Sequence, residues 1–245
     1  MAAAPVDNVG VLQKLKVCLN GGRDEPGVPR TPDEVSRSAR EAVAAGAEAV
    51  HVHPVDGAGR ESLDAGVIAA GVAAAREALV PVGVSTGIWI TGGDAAARAE
   101  QVRAWAELAD KPDFASVNVG EPGFTELVGV LRGAGIGVEA GVWSVADARW
   151  LAAQPDFDLL RVLVEVMPGT TDPAEEILDA LEGVRGPRLL HGEGEHCWPH
   201  VALAGKLGLP TRIGFEDTAV GPGGEPVGSN ADLVRLALRV WEDAR

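Results

Sequence analysis

The chain has 245 residues, of which 32 are glycine and 16 proline; that is about a fifth of its length, short of the ~25–30% that marks low-complexity disorder. A formal net charge of -15 repels phosphate backbones and anionic lipid surfaces, which argues against nucleic-acid and peripheral-membrane roles. No apolar run reaches the ~18 residues of a membrane span, and the start MAAAPVDNVG lacks the basic and apolar regions of a secretory signal. A cytoplasmic protein with two free thiols, Cys18 and Cys197, is expected.

Short, β-branched apolar runs alternate with helical-period stretches from end to end. The first strand is expected over 14–19 and ends at Asn20-Gly21-Gly22-Arg23. A helix over 32–45 follows, with a capping box at Thr31 and Glu34 and Pro32 in its first position. The strand over 49–53 carries His51 and His53 and leads to a helix over 65–78. The strand over 80–85 ends in Ser85-Thr86-Gly87, ahead of a helix over 95–109. The strand over 114–118 ends at Asn118, before a helix over 124–133. Strands over 136–142 and 159–166 carry Glu139 and Glu165. Their helices are expected over 145–153 and 173–182, the second capped by Asp172 with Pro173 and Glu175. A strand over 188–191 ends at His191 and precedes a helix over 197–207. The last strand, 211–215, leads into Glu216-Asp217, and a final helix over 231–243 opens at Ser229 or Asn230. Gly46, Gly133, Gly183 and Gly208 stand where helices stop.

Eight strand–helix units of about 31 residues fit one TIM (β/α)8 barrel spanning residues 1–245. An open doubly wound sheet is the alternative, but the turn after the first strand fits neither G-x-G-x-x-G nor the P-loop. In a barrel the active site forms at the C-terminal ends of the strands. His51 and His53 point to one side of their strand and are spaced to grip one metal ion. Glu216 ends the eighth strand, two staves from the histidine strand once the barrel closes, and is the expected third ligand. A second histidine group, His191, His196 and His200, lacks the H-E-x-x-H order of a metalloprotease, and His191 is expected to line the pocket. Arg212 stands in an apolar strand and needs an anionic partner: Asp217, Glu139 or a substrate carboxylate. An arginine–aspartate pair beside a metal suits a base with its orienting cation. Ser85-Thr86-Gly87 offers donors to a carboxylate or carbonyl, and no G-x-S-x-G elbow marks a serine hydrolase.

With Val17-Cys18-Leu19-Asn20-Gly21-Gly22, Ala115-Ser116-Val117-Asn118 and Arg212-Ile213-Gly214-Phe215-Glu216-Asp217 in order, the chain resembles the β-keto acid cleavage enzymes nearly end to end. The resemblance implies a zinc-dependent barrel that converts a β-keto acid and acetyl-CoA to acetoacetate and a new acyl-CoA. It implies His51, His53 and Glu216 as zinc ligands, and Asp217, paired with Arg212 and helped by Glu139, as the base. It implies Asn20, Ser85, Thr86, Gly87 and Asn118 as substrate-binding residues, and a homo-oligomer, dimer or tetramer. The family usually follows its second histidine with an Arg-Asp pair, where this chain has Pro54-Val55-Asp56. An acidic residue that the family often carries in the first turn, where it helps hold a substrate amine, is replaced around Arg23, beside Asp24 and Glu25, which favours a more anionic substrate or one without an amine. Two readings stay open beside it: a metal-dependent C–C lyase or aldolase without CoA, and a non-catalytic barrel that binds a small acid. A His₂Glu set also accepts divalent ions other than zinc.

Overall fold

The computed structural model describes residues 12–23, 25, 27–155 and 157–245; the N-terminal stretch 1–10 and Asp24 discussed above lie outside the described residues. Eight strands, β1 (Leu15–Cys18), β2 (Ala49–Val52), β3 (Val82–Ser85), β4 (Phe114–Asn118), β5 (Gly137–Val142), β6 (Arg161–Val166), β7 (Arg188–Gly192) and β8 (Thr211–Ile213), pair in parallel. They alternate with α1 (Pro32–Ala44), α2 (Ala65–Arg76), α3 (Ala95–Arg103), α4 (Phe124–Gly133), α5 (Val145–Ala152), α6 (Ala174–Ala180), α7 (Cys197–Leu207) and α8 (Asn230–Ala244). The ladder runs β7-β6-β5-β4-β3-β2-β1-β8. The seam between β7 and β8 is closed by Leu190 N–H donating to Pro210 O at 3.0 Å and the Thr211 hydroxyl donating to Leu190 O at 2.8 Å. The result is a TIM barrel.

Between sheet and helices lies the main apolar core, with Val50, Val52, Val82 and Val84 packed against α1 and α2 residues such as Ala39 and Ile68. The barrel interior is layered differently. A small apolar cluster of Ala49, Phe114, Leu163 and Leu189 fills one layer. Fully buried Lys16 meets it, with Nζ 5.6 Å from the Phe114 ring centre, and the Arg161 guanidinium approaches the same ring at 5.6 Å. Both cations bind Glu139: Lys16 Nζ through an ion pair and Arg161 Nε at 2.9 Å. Pairing opposite charges offsets part of the cost of carrying them into the barrel.

Local signals behave mostly as the sequence predicts. The Thr31–Glu34 box caps α1, Ser229 caps α8, and both cysteines are buried and free. Three expectations are corrected. The helix expected over 95–109 tightens after Arg103 into a 3-10 turn, Ala104–Glu107, which buries Trp105 and lets its indole donate to Leu63 O at 2.9 Å. Asp172 does not cap α6, whose first turn follows Pro173 without a side-chain cap; it accepts Val145 N–H at 2.8 Å, at the start of α5. The last strand stops at Ile213, because Asp217 N–H and Thr218 N–H both return to Gly214 O at 2.9 and 3.0 Å and curl the chain into a turn. Among the predicted stops, Gly133 closes α4 from within and Gly135, at φ 75°, makes the left-handed exit.

That turn depends on Gly214. A Cβ there would lie 1.8 Å from Cys18 O, a backbone atom of the paired strand that cannot swing aside. Gly214→Ala is expected to push β8 off β1 and cost about 3 kcal/mol or more, at or beyond the upper end of overpacking penalties. Thermal unfolding checks it, and an unchanged Tm contradicts the packing described.

Candidate metal centre and active site

The C-terminal strand ends converge on a cavity of about 380 Å³, lined among others by His51, His53, Ser85, Asn118, Arg212 and Glu216. His53 lies one residue past β2, and Asn20 holds it there. The Asn20 amide donates to His53 O and accepts His53 N–H, both at 2.9 Å, extending the strand pairing by a side chain. Glu216 is set by the Gly214 turn and by Gly21, whose positive φ of 58° and missing Cβ admit the Glu216 side chain at contact distance. Asn230, first residue of α8, ties the two strand ends together: it accepts Phe215 N–H at 2.9 Å and donates to Leu19 O at 2.8 Å.

The ligand atoms of His51, His53 and Glu216 lie within 4.8 Å of one another, and no other such group occurs among the described residues. Glu216 Oε2 stands 3.3 Å from His53 Nε2 and 3.8 Å from His51 Nε2, buried and without a hydrogen-bond partner. Burial pushes His51 well below the usual imidazole range. Burial lowers His53 too, but the Glu216 and Glu61 carboxylates outweigh it and push this imidazole up to about 10. The carboxylates around His53 thus make the cluster attractive to positive charge. Two imidazoles and an orphaned buried carboxylate oxygen at this spacing fit a divalent cation, and this donor set is that of catalytic zinc sites.

Behind Glu216 lies Arg212, itself buried. Its Nε and Nη2 donate to Asp217 Oδ1 at 3.0 and 2.6 Å, Nη2 also meets Glu216 Oε1 at 2.7 Å, and Nη1 lies 3.5 Å from Glu165. Of the two protein partners expected for this guanidinium, Asp217 meets it and Glu139 does not. Glu139 sits a layer deeper on Lys16 and Arg161, away from Asp217. Burial raises the Asp217 carboxyl and Arg212 pulls it partly back, while Asp217 Oδ2 has no partner. His191 is sealed behind the cavity wall, bridging Glu165 at 2.8 Å and Asp217 at 3.7 Å.

The residues expected at the substrate divide into two groups. Ser85 and Asn118 face the cavity. Asn20, Thr86 and Gly87 do not line it: Asn20 clamps His53, the Thr86 hydroxyl donates to Ser116 O at 2.6 Å, and Gly87 lies beneath the Trp89 ring. Arg23 lines the mouth, 3.8 Å from Glu193. Burial, reinforced by Asp217 and Glu216, raises the Glu193 carboxyl. His196 and His200 face each other edge-on at 5.9 Å, and His200 Nδ1 donates to His196 O at 2.7 Å. Sequence reasoning passes over Lys16, Glu61, Trp89, Trp143 and Met167; the last four line the cavity.

These features define a TIM-barrel protein with a His₂–carboxylate centre at the catalytic end of the barrel. The family model for beta-keto acid cleavage enzymes matches residues 15–245, and the chain belongs to that family. Among solved structures it is similar to ObcA in ternary complex with a C4-CoA adduct and oxalate, at 18% identity and a TM-score of 0.66 over 88% of this chain. The chain spans 64% of that protein's length. It is also similar to the type I 3-dehydroquinate dehydratase of Clostridium difficile, at 12% identity and a TM-score of 0.63, covering 96% of this chain and 95% of that one. At these identities the structural likeness shows the barrel. No curated protein matches. No described helix is long and apolar enough to cross a membrane.

Removing a buried guanidinium leaves its carboxylates uncompensated, at a cost of about 3–5 kcal/mol. Arg212→Ala is expected to lower the unfolding free energy from urea titration by that amount, and the midpoint with it. A midpoint equal to wild type contradicts the ion-pair network as a stabilising unit.

Proposed function

We propose that the protein is a zinc-dependent β-keto acid cleavage enzyme, exchanging an acyl group between a β-keto acid and acetyl-CoA. The observation that carries the reading is the cluster of His51, His53 and the unpartnered Glu216 oxygen on the floor of a cavity, backed by the Arg212–Asp217 pair. Family membership supports it, as does the CoA adduct in the ObcA complex. The overall exchange is R–CO–CH2–COO⁻ + CH3–CO–S–CoA → CH3–CO–CH2–COO⁻ + R–CO–S–CoA.

His51, His53 and Glu216 would hold the ion. When bound, zinc or another divalent ion polarises the keto group and stabilises enolate charge. Asp217, fully buried in the cavity wall next to Glu216, is the proposed base for the substrate methylene. Its raised carboxyl suits this, because a base poised nearer neutrality transfers protons more effectively. Arg212 orients Asp217 and holds it close to Glu216. After the carbanion attacks the acetyl thioester, the freed thiolate attacks the R–CO carbonyl. The C–C bond to R–CO then breaks, and Asp217 returns its proton to the departing acetoacetate carbanion. Ser85 and Asn118, which line the cavity, would meet substrate oxygens. Glu139, with Lys16 and Arg161, supports the floor from below. Arg23 at the mouth favours an anionic or uncharged tail over an amine.

The reading is tested by incubating the protein with a β-keto acid and acetyl-CoA. Acetoacetate and the new acyl-CoA are expected in equal amounts. Asp217→Asn is expected to lose on the order of 10²–10⁴ in kcat while keeping its metal; full turnover refutes the base. Arg23→Glu is expected to shift the kcat/KM ratio of amine-tailed to carboxylate-tailed β-keto acids upward by about tenfold or more. No shift removes Arg23 from the tail subsite.

A further inference from the structure

Behind His53 lies a contact that none of the roles above uses. Glu61 Oε1 meets His53 Nδ1, and Glu61 Oε2 accepts the Trp89 indole N–H at 2.5 Å. Glu61 comes from the loop after β2. There a Val55–Glu61 bridge and the Ser62 N–H to Pro54 O bond, 3.0 Å, fold the chain into a short hairpin. Trp89 comes from the 3-10 turn Ile88–Thr91 after β3. Its ring packs on Gly87, where a Cβ would lie 2.2 Å from the ring, so the glycine is what lets the indole lie flat there. Trp89 is 49% exposed and forms part of the cavity rim.

A neutral imidazole offers one lone pair, and the partner on one nitrogen decides which nitrogen offers it. A carboxylate on Nδ1 holds the proton there and leaves Nε2 facing Glu216, 3.3 Å away. The indole fixes the other oxygen of that carboxylate. His51 has no such support, since its Nδ1 has no partner.

We propose that Glu61 and Trp89 are a positioning pair for His53, linking the rim of the substrate cavity to the metal centre through two consecutive hydrogen bonds. The proposal rests on the metal reading above. Glu61 sets the tautomer and aim of the ligand, and Trp89 keeps Glu61 from turning toward solvent. Neither residue touches the reacting atoms.

The test uses the full chain. Zn²⁺ is titrated against a chromogenic chelator, and the visible absorption bands of the Co²⁺-loaded protein are recorded. In Glu61→Gln the amide has a single accepting oxygen for two donors. Zn²⁺ affinity is expected to fall by about 10–100-fold and the Co²⁺ bands to shift, as when other outer partners of ligating histidines are removed. Trp89→Phe keeps a ring over Gly87 and removes only the N–H, so a smaller loss of affinity with a band shift in the same direction is expected. Wild-type affinity and bands in either folded variant overturn the pair. His51→Ala separates the two claims: if it loses Zn²⁺ while Glu61→Gln keeps it, the metal centre stands and the positioning pair does not. A wild-type protein that takes up no Zn²⁺ removes both.

Discussion

A guanidinium with almost no access to water sits inside this barrel, and the active end is organised around it. Arg212 stays charged, so its surroundings must supply carboxylates. Asp217, Glu216 and Glu165 do so from two strand ends. Each is thereby assigned a place. Asp217 is drawn into the wall, Glu216 is left with one oxygen bound and the other free toward the histidines, and Glu165 is shared with His191. The free Glu216 oxygen is the part of this arrangement that calls for a cation.

The same constraint explains the steric demands around β8. Glu216 and Asp217 are adjacent in sequence but serve different partners, so the chain has to curl immediately after the strand. Gly214 permits the curl against β1, Gly21 admits the Glu216 side chain, and Asn230 fastens the curl to the end of β1. Below it, Lys16 and Arg161 share Glu139 on the face of Phe114. That layer keeps further charge out of contact with water, as a polar barrel interior requires.

Much of this was legible in the sequence. Strands and helices announce themselves by period, and the H-x-H strand and the Arg212–Asp217 segment are local patterns whose geometry follows from strand alternation and a short turn. What escaped was set by partners distant in sequence. Glu61 reads as a loop acid until the hairpin folds it onto His53. Trp89 reads as a surface aromatic until it meets Glu61, 28 residues away. Asn20, a polar residue at a strand end, looks like a ligand for substrate, but its amide matches the backbone of His53. Glu139 has the right strand position for the site, and only the side-chain layering shows that Lys16 and Arg161 claim it. Asp172 has the local sequence of a cap and serves the neighbouring helix instead.

The central claim is that His51, His53 and Glu216 hold a divalent ion. It is met most directly by elemental analysis of the purified protein and of Glu216→Gln after equilibration with Zn²⁺ and exhaustive dialysis. The account predicts one ion per chain in the wild type, as for a catalytic set of three protein ligands with an open fourth position, and loss of most of it in the variant. A wild-type protein without metal, or a variant that retains the full complement, contradicts the account.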